Sequence, residues 1–225
     1  MSDLALILFD VDGTLVNSQA HILSAMAETF NKTGLPQPDP SQIMAGIGLS
    51  LPILMHRLVP TATPEQIDQL VENYKGAFVT LKSANNPEGL SPLYPGAKAC
   101  LKELAQRDTW LLGTATGKSR RGLDHMINRH NWQQTFVTLQ CADDHPSKPH
   151  PSMVLTAMAE TGVGPERTVV IGDTTFDMEM ARSAGTRAIG VSWGYHPSER
   201  LVEAGAFTVI DSFDVLPNLL TELLE

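Results

Sequence analysis

The spacing of apolar residues changes character twice along this chain. Leu4-Ala-Leu-Ile-Leu-Phe9 is a short continuous apolar run that stops at Asp10-Val-Asp12-Gly13, which predicts a buried strand running into a turn. Both acids then sit at the C-terminal end of that strand. Helical spacing follows. Ile22, Met26 and Phe30 form one stripe that ends near Gly34, and Pro36-Gln-Pro38-Asp-Pro40 reads as a linker. Thr63-Pro64-Glu-Gln66 has Thr as N-cap and Pro at the first helical position, and Ile67, Leu70, Val71, Tyr74, Phe78 and Leu81 continue it as one face. Asn85 to Pro92 reads as a loop and Gly96 to Gln106 as a further helix. Between Val16 and Pro92 no strand pattern stands out.

Past residue 106 strand-like and helix-like segments alternate. Strands are predicted over Trp110 to Ala115, Phe136 to Leu139, Thr168 to Ile171, Arg187 to Val191 and Phe207 to Ile210. Helices are predicted over Lys118 to Arg129, Pro151 to Thr161, Asp177 to Ala184, Pro197 to Ala204 and Val215 to Leu224. Such alternation builds a parallel sheet covered by helices. The expectation is therefore an α/β fold, a doubly wound parallel sheet formed by residues 1–15 and 93–225, interrupted after its first strand by a helical insertion at 16–92.

Composition narrows the function. A chain of 225 residues can bury a full core, and no apolar run is long enough to span a bilayer. The N-terminus has no cationic leader, so secretion is not expected. Cys100 and Cys141 are too few for a disulfide framework and point to a cytoplasmic location. The formal charge of −9 argues against nucleic-acid or anionic-membrane partners. A small anionic ligand would need local cations. The oligomeric state is not legible.

Ligands of open parallel sheets collect at the carboxyl ends of the strands. There the order of elements predicts Asp10 and Asp12, Thr116-Gly117-Lys118, Lys148 in Ser147-Lys-Pro-His-Pro151, and Asp173-Thr-Thr-Phe-Asp177. Four acids, a hydroxyl and a lysine in one crevice suit phosphoryl transfer. Two other phrases compete. Gly190-Val-Ser192-Trp-Gly194 matches a serine-hydrolase elbow, but His196 precedes Asp211 and Asp214, the reverse of the usual order. Gly113-Thr-Ala-Thr-Gly-Lys-Ser119 is one residue short of a nucleotide-binding P-loop.

Asp10-Val-Asp-Gly-Thr-Leu15, a strand ending in Thr116, Lys148, and Gly172-Asp-x-x-x-Asp177 together resemble the four motifs of the haloacid dehalogenase superfamily. Leu15-Val-Asn-Ser18, Tyr94-Pro-Gly96, Ala184-Gly185 and Trp193-Gly-Tyr195 are similar to its phosphoglycolate phosphatase branch, many members of which have Asp where Asn17 stands here. The resemblance implies hydrolysis of a small phosphorylated metabolite through a phosphorylated Asp10, with Asp12 as proton donor and then base. It implies Mg²⁺ held by carboxylates of Asp10 and Asp173 and the main-chain carbonyl of Asp12. Thr116 and Gly117 would bind phosphate oxygens, Lys148 would offset charge, and Asp177 would orient Lys148 or a metal-bound water. Residues 16–92 would be a helical cap that selects substrate. Asp12 disfavours dehalogenation, since family dehalogenases lack an acid there. Phosphomutase chemistry stays open, as does a phospho-accepting receiver-like role, although receivers are about half this length. The physiological ester is not specified.

Overall fold

The computed structural model describes residues 4–84 and 91–224, with side chains over 4–81 and 91–224. The strands are β1 (Ala5–Phe9), β2 (Trp110–Thr116), β3 (Thr138–Cys141), β4 (Thr168–Gly172), β5 (Arg187–Val191) and β6 (Thr208–Ile210). They form one parallel sheet in the order β3-β2-β1-β4-β5-β6. The central strands read as continuous apolar runs because both faces are covered. Along β1, Ala5, Ile7 and Phe9 pack on one side while Leu6 and Leu8 pack on the other. The first side is closed by α5 (Ala97–Leu104), α6 (Arg120–His130) and α10 (Leu216–Leu224), the second by α7 (Ser152–Thr161), α8 (Thr175–Ser183) and α9 (Ser198–Ala204).

The segment between β1 and α5 contains α1 (Gln19–Thr33), α2 (Pro40–Met44), α3 (Leu51–Leu58) and α4 (Pro64–Ala84), which surround a third apolar cluster of their own. Ile22, Met26 and Phe30 of α1 meet Ile67, Leu70 and Val71 of α4 there, as their spacing predicts. Gly34 ends α1 at a φ of 69°, a conformation that costs other residues more. The two connections to the sheet run side by side. Asn17 N–H donates to the Pro92 carbonyl at 2.8 Å and Tyr94 N–H to the Leu15 carbonyl at 3.0 Å, with Val16 bridged to Leu93.

Several expectations are corrected. The third strand lies two residues later than Phe136 to Leu139. Phe136 packs instead against Trp132 in the apolar cluster, and exposed Val137 gives only its N–H, to the Leu112 carbonyl at 2.8 Å, so the paired register begins at Thr138. Pro40 is not linker. Asp39 accepts from Ser41 N–H, Gln42 reaches back to Asp39 N–H, and this capping box starts α2 on the proline. Helix α3, unassigned from sequence, begins at Leu51-Pro52. Helix α6 begins at Arg120 rather than Lys118, because the Ser119 hydroxyl caps Gly122 N–H and leaves Lys118 in the turn. Residues 85–90 of the loop expected at Asn85 to Pro92 lie outside the described residues. No helix among the described residues is long and apolar enough to cross a membrane.

Leu8 is fully buried on β1, and a methyl group placed on Gly113 of β2 would meet its Cδ2 at 2.8 Å. Leu8→Ala is therefore expected to cost about 2–5 kcal/mol in urea denaturation; a loss below about 1 kcal/mol would mean that this face is not packed as described.

Candidate active site

Sheet order decides which loops meet. Strands β2, β1 and β4 are adjacent, so the turns after Thr116, Phe9 and Gly172 open at one place, and the loop from β3 to α7 reaches across to it. Lys148 from that loop is buried. Its Nζ donates to Asp10 Oδ1 and to Asp177 Oδ1, each at 2.6 Å. Asp177 is the N3 residue of α8, and its Oδ2 accepts from the Thr174 hydroxyl at 2.6 Å and from Thr174 N–H at 3.0 Å. A helix-capping role and a lysine-orienting position thus fall on the same residue.

Asp173 accepts from the Thr14 hydroxyl at 2.9 Å on Oδ1 and from Tyr195 N–H at 2.9 Å on Oδ2. Space for it is made by two glycines. A Cβ on Gly13 would lie 2.2 Å from Asp173 Oδ2, and one on Gly194 2.1 Å from Asp173 Cβ. Gly13 also has a φ of 94°, where side chains are strained.

One carboxylate oxygen from each of Asp10, Asp173 and Asp177 lies within 4.8 Å of the other two. One ammonium faces these three carboxylates, so full ionisation leaves negative charge uncompensated in a dry site, which is costly. Burial pushes the Asp10 carboxyl up from 3.8 to about 7, against the pull of Lys148 and with the charge of Asp177 adding to the push. Burial, then the charges of Asp10 and Asp177, also hold Asp173 well above its ordinary range. For Lys148 burial acts downward, but Asp10 and Asp177 outweigh it and the ammonium is held above its ordinary value. Asp10 Oδ2 is buried without a hydrogen-bond partner. Hard oxygen donors and an excess of negative charge fit a divalent cation such as Mg²⁺.

The Asp12 side chain lies outside this cluster. Both of its oxygens accept from Lys118 Nζ at 2.6 Å, and Oδ1 also accepts from the Ser18 hydroxyl at 2.6 Å. Of the predicted metal set, Asp12 therefore has only its main-chain carbonyl to offer, while Asp177 joins Asp10 and Asp173 in space. Thr116 ends β2 fully buried, and its hydroxyl accepts from Lys118 N–H at 3.2 Å. Gly117 lies under the helical segment: a Cβ there would meet the Gly48 carbonyl oxygen at 2.6 Å. The phosphate-binding turn expected at a helix start, Thr116-Gly117, lies three to four residues ahead of Arg120, the first residue of α6.

Thr14, Ser18, Lys118, Thr174, Tyr195 and His196 escaped assignment from sequence. Thr14 and Thr174 lie within the motifs and Lys118 two residues after Thr116, so proximity was a usable signal. Ser18 and Tyr195 are 177 residues apart and meet at 3.1 Å between hydroxyls, which no local pattern announces. Buried His196 accepts Thr175 N–H on Nδ1 at 3.0 Å and so carries its proton on Nε2. This use of the ring at the start of α8 removes it as a base for Ser192. Gly113 of the near P-loop is a packing residue, since a Cβ there would lie 2.4 Å from Thr138 Cγ2.

A parallel sheet covered by helices, with a group of buried acids at its carboxyl end, has the architecture of an α/β enzyme. The family is specific: residues 7–191 match the model of the haloacid dehalogenase-like hydrolases, and the chain belongs to that family. It is 32% identical over 211 residues to the probable phosphatase IndB of Dickeya dadantii, covering 92% of this chain and 90% of that one. It is 29% identical to a phosphoglycolate phosphatase of Nitrosococcus oceani over 96% of both chains. A hydrolase from Pseudomonas syringae superposes with a TM-score of 0.83 at 25% identity, over 96% of this chain and 97% of that one.

The raised carboxyls have a consequence for the metal-free protein. Asp10 has a folded value above its unfolded one, so its favourable contribution is complete below 3.8 and is lost as pH rises through about 7, and Asp173 acts in the same sense. The melting temperature in chelator is expected to fall between about pH 5 and about pH 8, and an added divalent cation should recover more of it at the higher pH. A flat or rising profile in chelator would mean that Lys148 already compensates the cluster.

Proposed function

We propose that this protein is a Mg²⁺-dependent phosphatase of small phosphate monoesters, acting through a phosphorylated Asp10. The observation that carries the reading is Asp10 itself: Oδ1 is fixed by Lys148 while Oδ2 is buried and uncommitted, the state of a nucleophile aimed but not spent. The relatives named as phosphatases support the same chemistry.

Asp10 and Asp173 would hold Mg²⁺, with the Asp12 main-chain carbonyl as a further oxygen. When bound, the ion supplies positive charge that lets an anionic nucleophile approach an anionic ester. Asp10 Oδ2 forms a bond to phosphorus as the bond from phosphorus to the leaving oxygen breaks, and that oxygen takes a proton from Asp12. Water then attacks the acyl phosphate, giving its proton to Asp12, and Asp10 is regenerated with release of inorganic phosphate. Lys148 stays protonated throughout, steadied by Asp177. The Thr116 hydroxyl and Gly117 N–H would hold phosphate oxygens.

Residues 16–92 act in this reading as a cap over the crevice. Gly48 rests on Gly117 and on Thr174, and Ser50 N–H donates to the Ser147 hydroxyl at 2.8 Å, next to Lys148. These contacts would exclude bulk water and restrict the leaving group to a small one. Phosphoglycolate is one ester of that size. Buried, unbridged Cys100 and Cys141 suit a reducing cytoplasm.

The test is a rapid acid quench with a phosphorus-labelled monoester and Mg²⁺. Label is expected on the peptide containing Asp10, and Asp10→Asn should remove both label and turnover, the latter by more than about 1,000-fold. Near-normal turnover in a folded Asp10→Asn protein would overturn the reading. A label that resists water but transfers to an added sugar hydroxyl would mark a phosphomutase instead. Turnover should also vanish in chelator and return with Mg²⁺.

A further inference from the structure

Lys148 bridges Asp10 and Asp177 only if the loop from β3 to α7 delivers its ammonium to one point in a buried site. The first part of that loop is tied to the turn after β2 and to α6. Ala142 N–H donates to the Lys118 carbonyl at 3.0 Å, Asp143 accepts from Arg120 N–H at 2.9 Å, and Asp144 pairs with the Arg120 guanidinium. Lys148 comes four residues after the last of these ties.

His145 stands in that interval, and its half-buried ring reaches both elements that the loop joins. Nε2 is 2.7 Å from Gln140 Oε1 on β3, and Nδ1 is 2.9 Å from the hydroxyl of Ser152, the first residue of α7. The polar groups behind the ring fix its protons. Gln140 is buried, and its amide nitrogen donates to the Thr138 hydroxyl at 2.6 Å and to Glu160 at 2.8 Å, while the Thr138 hydroxyl donates to Glu160. The Gln140 amide oxygen therefore accepts, His145 donates from Nε2, and Nδ1 is left to accept from Ser152. Burial holds the imidazole below its ordinary value; Asp144 and Glu160 pull it up, and Arg120 and His150 push it down. A neutral ring with one donor and one acceptor is the form that suits both partners. Lys148 follows three residues later, and between them the Ser147 hydroxyl accepts from Ser50 N–H of the helical segment.

We infer that His145 is a positioning residue for Lys148: its ring, bonded to β3 and α7 at once, fixes the loop so that the ammonium meets both Asp10 and Asp177. The inference rests on the phosphatase reading for its effect on turnover, and it goes beyond that reading in naming the side chain that sets the lysine. His145 touches none of the reacting groups. Its loss acts through displacement alone, and a shift of about 1 Å in a charge at the reacting centre can cost about 100-fold in rate.

The experiment follows Lys148 and turnover together in wild type, His145→Ala, Ser152→Ala and the double variant. Acetylation of the intact, metal-free protein with acetic anhydride, read by mass spectrometry against exposed Lys98, reports whether the ammonium has left its buried place. Lys148 is expected to be protected in wild type and to react at least about 10-fold faster in His145→Ala, with the circular dichroism unchanged. With nitrophenyl phosphate and Mg²⁺, kcat should fall about 10- to 100-fold in His145→Ala while KM changes by less than about 3-fold. Ser152→Ala removes one of the two ring bonds and should cost about 3- to 10-fold in kcat. The double variant should be no worse than His145→Ala, because both changes act through one ring. A folded His145→Ala protein with Lys148 as protected as in wild type would overturn the inference, and so would additive losses in the double variant. Should His145→Ala fail to fold, the same criterion applies to Ser152→Ala, where a Lys148 rate equal to that of wild type overturns the inference. Lys148 released with turnover intact would uphold the inference and remove Lys148 from the proposed chemistry. If wild type hydrolysed no monoester, the phosphatase reading would fail while acetylation still tested the placing of the lysine.

Discussion

A protonated lysine without exposed surface, 2.6 Å from two carboxylates, is the constraint around which this protein is organised. Lys148 could not keep its charge there alone, because burial works against it. Asp10 and Asp177 reverse that balance, and Asp173 then adds a third carboxyl to a space that one ammonium cannot neutralise. The strain is expressed in the raised Asp10 and Asp173 carboxyls and in an Asp10 oxygen without a partner. Three buried acids grouped in this way have the donor set that a divalent cation would take.

Keeping such a site rigid falls to the sheet and its turns. Asp10 follows the central strand, and its own N–H donates to the Ile171 carbonyl at 2.8 Å, which carries the ladder past the end of β1. Asp173 is fixed by Thr14, by Tyr195 N–H and by the closeness of Gly13 and Gly194. Asp177 is fixed by the capping box of α8. Each acid is thus held by groups that also serve the local backbone, so the electrostatics of the site and the packing of the core share the same residues.

The helical segment contributes on a different principle. Its apolar cluster is separate from those of the sheet, and it meets the sheet's carboxyl end through small contacts: Gly48 on Gly117, Ser50 on Ser147, and Tyr195 against the cluster and Ser18. Two adjacent connections at Val16 and Leu93 tie it down.

Much of this was legible in the residues. The apolar run of β1, the stripes of α1 and α4, and the alternation after residue 106 follow from the need to bury one face or two, a local requirement that leaves a periodic trace. The acids at strand ends were equally visible, because a motif such as Gly172-Asp-x-x-x-Asp177 carries its turn and its helix cap in adjacent residues. The start of β3 and the entry to α2 were not, since Phe136 is drawn away by Trp132 and Pro40 is recruited by a capping box. Partnerships were hidden most. Asp12 with Lys118 spans 106 residues, and Ser18 with Tyr195 spans 177. Sequence alone determined which side chains could do the chemistry and which strand ends would present them. Tertiary structure decided how they pair, that Asp12 turns to Lys118 while Asp177 joins Asp10, because a buried charge takes its partner from whatever the fold brings within about 3 Å, whatever the distance along the chain.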